Sequence, residues 1–323
     1  MRTRLWIALF AVLVVLTLIS LAVGKVWLPL EGWFDRADPR WPIIIELRTP
    51  RTLLAIMVGG ALAMCGAAMQ GYTRNPLADP GVLGVSSMAA LGAVMTLYFG
   101  LTAGATWILP IAAIIGAIAG VLLLLALSGV TASVITFVLA GVIIQSMAGA
   151  GVALALNLAP NPWAVQEIFD WLMGALTDRS MEEVRLAAPF VFVGCAILLT
   201  LRPAFEALSL GEASAASLGI DLKRTQILLA LGVGLATGAC VAVTGIIGFV
   251  GLIAPHLMRP LVAASPGRLL LPSALAGAIL VLAADIVVRL TPAAAEVKLG
   301  VALSALGGPF FLALLIAMRR RIA

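Results

Sequence analysis

Few residues in this chain could do chemistry, and their placement narrows what it can be. Asp285 stands four residues before Arg289 inside an apolar run, a spacing that puts an acid and a base on one helix face. His256 is the only histidine, set in "APHLMRP" with no cysteine or carboxylate pair beside it. It makes a poor metal site and reads as a polar residue at a helix end. Cys65, Cys195 and Cys240 each sit within apolar sequence, odd in number and without a CxxC, and read as small buried hydrophobes. A phosphate-cradling loop needs Gly-Lys followed by Ser or Thr. The lysines are Lys25, Lys223 and Lys298, and the one that follows a glycine, Lys25, precedes Val26. A proton-coupled carrier would show several acids or a histidine relay within its spans, and an enzyme a clustered set. Neither pattern is present. The chain is therefore read as non-enzymatic: no catalytic residue, no metal, no cofactor of its own and no nucleic-acid partner. What remains is a pathway or scaffold whose energy comes from elsewhere.

The elements that hold these residues are membrane helices. Of 323 residues, 63% are hydrophobic and 11% charged, where a soluble domain carries about 25% charged. The apolar runs are continuous, as in "ILPIAAIIGAIAGVLLLLALSGV", so spanning helices are expected rather than barrel strands. The pattern predicts an all-α polytopic membrane protein with one domain, 1–323, and about ten spans near 5–24, 50–71, 82–100, 105–127, 136–157, 186–201, 225–243, 246–263, 270–290 and 299–318. Arg2 and Arg4 before the first run resemble a signal peptide, but the long core and lack of a small-x-small site favour a retained helix. An even count puts both termini on one side. With that side cytoplasmic, 11 basic residues lie inside and nine outside, the sense of the positive-inside rule. Trp27, Trp33, Trp41, Trp163 and Trp171 fall in the two long outer segments, suited to the headgroup level. Glycine and alanine recur at three- and four-residue spacings, as in "VGGALAMCGAAMQG", which lets helices approach closely.

"LRTPRTLLAIMVGGALAMCGAAMQGYTRNPLADPGVLGVSS" resembles the second and third helices of permeases from bacterial ABC importers for iron-siderophore, haem and cobalamin. "GFVGLIAPHLMRPLVAASPGRLLLPSALAGAILVLAADIVVRL" and "LGVALSALGGPFFLALLI" resemble the same family, and the likeness runs from about Glu46 to the C-terminus. It implies a cobalamin-permease-like bundle of ten helices in the bacterial inner membrane, both termini cytoplasmic, acting as a homodimer amid membrane lipid. It further implies two cytoplasmic ATPase subunits holding the ATP and Mg, and a periplasmic or surface-anchored substrate-binding protein. The cargo implied is an iron chelate, ferric siderophore or haem, with cobalamin the alternative.

The resemblance also gives residues roles. The break "MQGYTRNPLADPGVLGV" reverses the chain through Pro76, Pro80, Gly81 and Gly84, and the family's cytoplasmic gate falls on Asn75 and Leu77. A tight connection without gating is the plainer reading. A second gate element is expected at Thr131 and Ser133, where the plainer reading is helix capping by their hydroxyls. The inner loop about 202–224 can form two short helices broken near Gly211 and Gly219. The family seats this loop in the ATPase groove, and Gly211, Glu212, Ala213, Ser217, Leu218 and Gly219 carry the likeness. Arg48, Arg51 and Arg289 are expected at the outer rim, docking an acidic binding protein; an internal pair of Arg289 with Asp285 is the alternative. The pathway is expected at the two-fold interface, along Gln145, Ser146, Met147 and Gly149 of the fifth span. Two other classes compete: a secondary transporter needing no ATPase, and a polytopic lipid-processing enzyme.

Overall fold

The computed structural model describes residues 2–24, 33, 38, 40–105, 107–129, 133–262, 265–291 and 296–322, and among these it is helical with no strand. Seven helical segments are long and apolar enough to cross a membrane. They are built on α1 (Arg2–Ala22), α2 (Thr49–Thr73), α4 (Ile108–Ser128), α5 (Val134–Asn157), α7 (Met181–Thr200), α10 (Leu222–Thr244) and α12 (Pro266–Leu290). Two expected spans are short: α3 (Val85–Tyr98) has 14 residues and α11 (Val250–Met258) nine. At 1.5 Å per residue neither crosses about 30 Å of hydrocarbon alone. The last is α13 (Leu299–Ile322). Three further helices lie between spans: α6 (Pro162–Leu172), α8 (Arg202–Leu208) and α9 (Glu212–Ser217).

Boundary shifts have local causes. The seventh helix starts at Met181, ahead of the apolar run, because Ser180 and Glu183 close a reciprocal capping box. The second span starts earlier than "RTPR" suggests. A π-helical turn, Ile43–Arg48, runs directly into α2 and lets Pro50 sit where its missing N–H is not needed. Thr49 helps by donating its hydroxyl to the Ile44 carbonyl at 2.7 Å.

The core is made by α2, α10 and α12, whose side chains are mostly buried. Helices α2 and α12 touch backbone to backbone: a Cβ added at Gly59 would collide with the Gly277 carbonyl, so the small-residue spacing serves close packing. On α5, Ile135, Leu139, Ile143, Met147 and Leu154 remain exposed, as do Val301, Leu306 and Leu312 on α13. Trp163 is exposed at the start of α6, whereas Trp171 is buried rather than displayed at an interface. The C-termini of α1 and α12 and the N-terminus of α2 meet at one end, while α8, α9 and the turn after α2 occupy the other.

Candidate functional site

The break after α2 is a folded device. Arg74 caps α2 in the left-handed region at φ 54°. The Asn75 side-chain carbonyl accepts the Leu77 N–H at 2.9 Å, and the Asn75 backbone carbonyl accepts the Ala78 N–H at 3.1 Å. Leu77 is thereby held outward, 42% exposed. Asp79 then accepts the Gly81 N–H at 2.8 Å and opens a 3-10 turn, Pro80–Leu83. Burial pushes the Asp79 carboxyl above its ordinary range, although the Gly81 N–H opposes this.

Gly84 ends the turn at φ 75° and lies directly on α5. A Cβ there would sit 2.8 Å from the Gly141 carbonyl and 2.9 Å from the Gln145 nitrogen. From the other side, a Cβ on Gly141 would collide with the Val82 carbonyl. The turn and the middle of α5 thus fit backbone against backbone, and movement of one must displace the other. Between them lies a cleft of about 280 Å³ bordered by Asp79, Ser86, Ser87, Gln145, Thr237 and Phe249.

Of the predicted pathway residues, Gln145 lines that cleft. Ser146 turns its hydroxyl back onto the Val142 carbonyl at 2.9 Å, Met147 is 62% exposed, and a Cβ on Gly149 would touch nothing. All four lie on the exposed side of α5. Of the second gate pair, Thr131 falls outside the described residues. Ser133 caps α5, accepting the Thr136 N–H at 3.3 Å.

The inner loop does form two short helices. Gly211 at φ 103° separates α8 from α9, and Gly219 at φ 84° ends α9. Phe205, Leu208 and Ala215 are buried, while Leu210 and Leu218 are 67% and 63% exposed. The pair is a knob with an anchored base and apolar tips. Ala213 accepts the Ser217 hydroxyl at 3.0 Å, which stiffens α9. Glu206 joins α8 to the start of α12 through the Ser265 hydroxyl and the Gly267 N–H, and the Arg202 Nε donates to the Gly267 carbonyl at 3.0 Å. Glu212 reaches Arg74 at 3.7 Å. The knob therefore touches the turn after α2 at its first residue.

At the opposite end, the three arginines expected at the outer rim are engaged within the chain, and the alternative pair of Arg289 with Asp285 is present. Arg48 and Arg289 are each 7% exposed. Arg48 donates to the Leu21 and Ala22 carbonyls, both at 2.7 Å. Arg289 bonds the Ser20 carbonyl at 2.9 Å and pairs with Asp285 at 2.9 Å. Arg51 spans Asp285 at 2.8 Å and Glu296 at 3.0 Å. The reason is the π turn: it continues the helix outward, so "RTPR" lies inside the bundle. Docking through these side chains would require this network to open. Burial would raise the Glu296 carboxyl, but Arg51 overrides it and holds it below its ordinary range. Among the described residues no cluster of three or more His, Cys, Asp or Glu is placed to hold a metal.

Several participants escape sequence reasoning. Phe249 adopts φ 66° without a glycine to announce it. Arg259 pairs across the bundle with Gln70, 189 residues away. The Gly84–Gly141 contact had only its glycines as a signal.

The whole chain has counterparts among known proteins. The profile of the FecCD transport family matches residues 12–317. A vitamin B12 import system permease protein, BtuC, of Klebsiella pneumoniae is 36% identical over 322 residues, covering 99% of this chain and 96% of the relative. An uncharacterized ABC transporter permease protein, YvrB, of Bacillus subtilis is 35% identical over 337 residues, covering 99% and 95%. A solved structure described as an inward-facing conformation of a metal-chelate type ABC transporter superposes with TM-score 0.89 at 30% identity, covering 98% of this chain and 100% of that one.

Proposed function

The chain belongs to the FecCD transport family and is the permease subunit of an ABC importer, and from that premise we propose that it passes a bulky metal chelate through the membrane intact. A corrinoid is the first candidate, because vitamin B12 is the cargo in the names of the BtuC relatives. An iron chelate, siderophore or haem, is the second, favoured by the metal-chelate description of the structural neighbour. Either would cross with its metal already wrapped, so the wall need only be weakly polar and readily released.

One observation carries the reading. The knob α8–α9 contacts the turn through Glu212 and Arg74, and that turn is fitted to α5 through Gly84 and Gly141. A push on the knob by an ATPase would reach the gate residues Asn75 and Leu77 and then the pathway helix. In this proposal a second copy faces the exposed side of α5 and covers Gln145, Ser146, Met147 and Gly149. Two ATPase subunits grip Gly211 to Gly219 in each knob and supply ATP and Mg. A substrate-binding protein delivers cargo to the opposite, periplasmic end, and the knob and both termini are cytoplasmic. Ser133, at the start of α5, is a further gate candidate, and Thr131 is proposed with it from the sequence alone.

The test is uptake by vesicles containing the chain with its ATPase and binding protein, screened with cobalamin, haem and several ferric siderophores. ATP-dependent accumulation of cobalamin is expected; accumulation of an iron chelate alone would move the cargo to the second candidate. Uphill uptake by the chain without any ATPase would refute the division of labour.

A further inference from the structure

A second cavity, of about 140 Å³, lies beside the knob and outside the gate cleft. Its polar wall is Gln70, Arg74, Ser209 and Arg259, with Pro266 and Leu269 behind. Four parts of the fold meet there: the end of α2, the α8–α9 junction, the end of α11 and the start of α12.

The charge at this place is incompletely matched. Arg259 is half-buried and donates from Nη2 to the Gln70 side-chain carbonyl at 2.6 Å. Its Nε is buried and has no hydrogen-bond partner among the described residues. No carboxylate among them lies within ion-pair distance of it, since the nearby acids are engaged elsewhere: Glu206 by Ser265 and Gly267, and Glu212, loosely, by Arg74 at 3.7 Å. Ser209 gives its proton to the Glu206 carbonyl at 2.6 Å and offers lone pairs rather than a donor. A desolvated guanidinium with an unused N–H is costly unless an anion completes it. Guanidinium groups match the oxygens of phosphate better than a point charge does. Basic pockets between membrane helices on the cytoplasmic side are suited to anionic headgroups.

We propose that this cavity binds a phosphate group, held between Arg259 and Arg74. The group is either the phosphodiester of an anionic phospholipid or free phosphate. Once bound, it bridges the gate turn to the end of α11 and draws Arg74 away from Glu212, loosening the link between knob and turn. The site concerns binding only, so its failure would leave the importer reading untouched.

The experiment is a thermal melt of the full chain in a neutral maltoside. Dioctanoyl phosphatidylglycerol, dioctanoyl phosphatidylcholine and inorganic phosphate are titrated separately. A saturable rise in melting temperature is expected with phosphatidylglycerol, phosphate or both, and none with phosphatidylcholine. Phosphatidylglycerol alone identifies a lipid headgroup; phosphate acting as well or alone identifies the free anion. Arg259→Gln should weaken apparent affinity by roughly tenfold, and Arg74→Gln carries the same test if the first variant does not fold. Arg268, exposed on α12 and outside the cavity, is the control for general surface charge. The proposal is overturned if neither anion stabilises the chain, if phosphatidylcholine does so equally, or if Arg268→Gln weakens binding as much as Arg259→Gln. Loss of the effect on assembly with the ATPase would also overturn it, by giving both guanidinium groups to a protein carboxylate.

Discussion

Asp285 pairs with two guanidinium groups, and replacing it with asparagine is the sharpest test of how that end of the bundle is held. The side chain is 0% exposed. It accepts the Arg51 Nε at 2.9 Å and pairs with Arg289 at 2.9 Å, while Glu296 takes the far side of Arg51. Asp285→Asn keeps the shape and removes the charge, leaving Glu296 as the remaining acid on Arg51 among the described residues. Removing one partner of a buried ion pair costs about 3–5 kcal/mol. Here the lower end, about 3 kcal/mol, is expected, because Glu296 and the carbonyls of Ser20, Leu21 and Ala22 still accept from the guanidinium groups. Against a typical total of about 5–15 kcal/mol that loss is large. Unfolding of the purified chain in detergent, followed by the fluorescence of its 7 tryptophans, measures it. Combining Asp285→Asn with Arg289→Gln should recover part of the loss, since the second change removes a cation the first has stranded; contacting residues couple by about 0.5–3 kcal/mol. The reasoning is refuted if the single variant stays within about 0.5 kcal/mol of the parent and the two changes simply add.

Gly84→Ala should destabilise by about 2 kcal/mol, combining a left-handed backbone cost of roughly 1–2 kcal/mol with crowding against Gly141; a variant melting with the parent would unseat the turn from α5. Leu77→Trp alters a side chain 42% exposed, so folding should persist while transport slows or the pathway leaks, and normal values of both would leave the turn merely structural. Leu218→Asp should fold normally yet weaken ATPase association by roughly tenfold or more; tight association would remove Leu218 from the contact. Asp79→Asn keeps the acceptor for Gly81 and removes the buried charge. Because the folded carboxyl sits above its unfolded value, the wild type loses stability as pH rises from the ordinary value near 4 through the raised folded one. The variant should therefore equal or exceed it in melting temperature at pH 7, with any advantage vanishing on acidification; a lasting deficit at pH 7 would contradict the burial account.

How much of this was legible beforehand depended on the reach of each signal. Continuous apolar runs announced helices, and Gly211 and Gly219 announced the split knob, because both signals are local. "RTPR" misled because Pro50 is a standard mark of a helix start. A π turn is stabilised by packing, not by a sequence pattern, so burial of Arg48 could not be read. The pairing of Asp285 with Arg289 was visible at a spacing of four, yet the bond from Arg51 to Asp285 spans 234 residues. The broken eighth span depended on Phe249 at φ 66°, a conformation that only tertiary packing imposes on a phenylalanine.

The distribution of stiffness gives the two ends different work. At one end α1, α2, α12 and the segment before α13 share buried guanidinium groups and carboxylates, and separating them would strand charge. That end should travel as one body. At the other, the ion pair between knob and turn among the described residues is an exposed one, Arg74 with Glu212 at 3.7 Å, a contact worth about 1 kcal/mol or less. A weak contact is easily remade, so the knob can shift against the turn at little cost. Beyond it the linkage turns rigid again, since Gly84 and Gly141 leave no slack between the turn and α5. Under the proposed function, a displacement of α8–α9 would cross the Arg74–Glu212 pair only in part, and the part that reaches the turn would be carried on to α5.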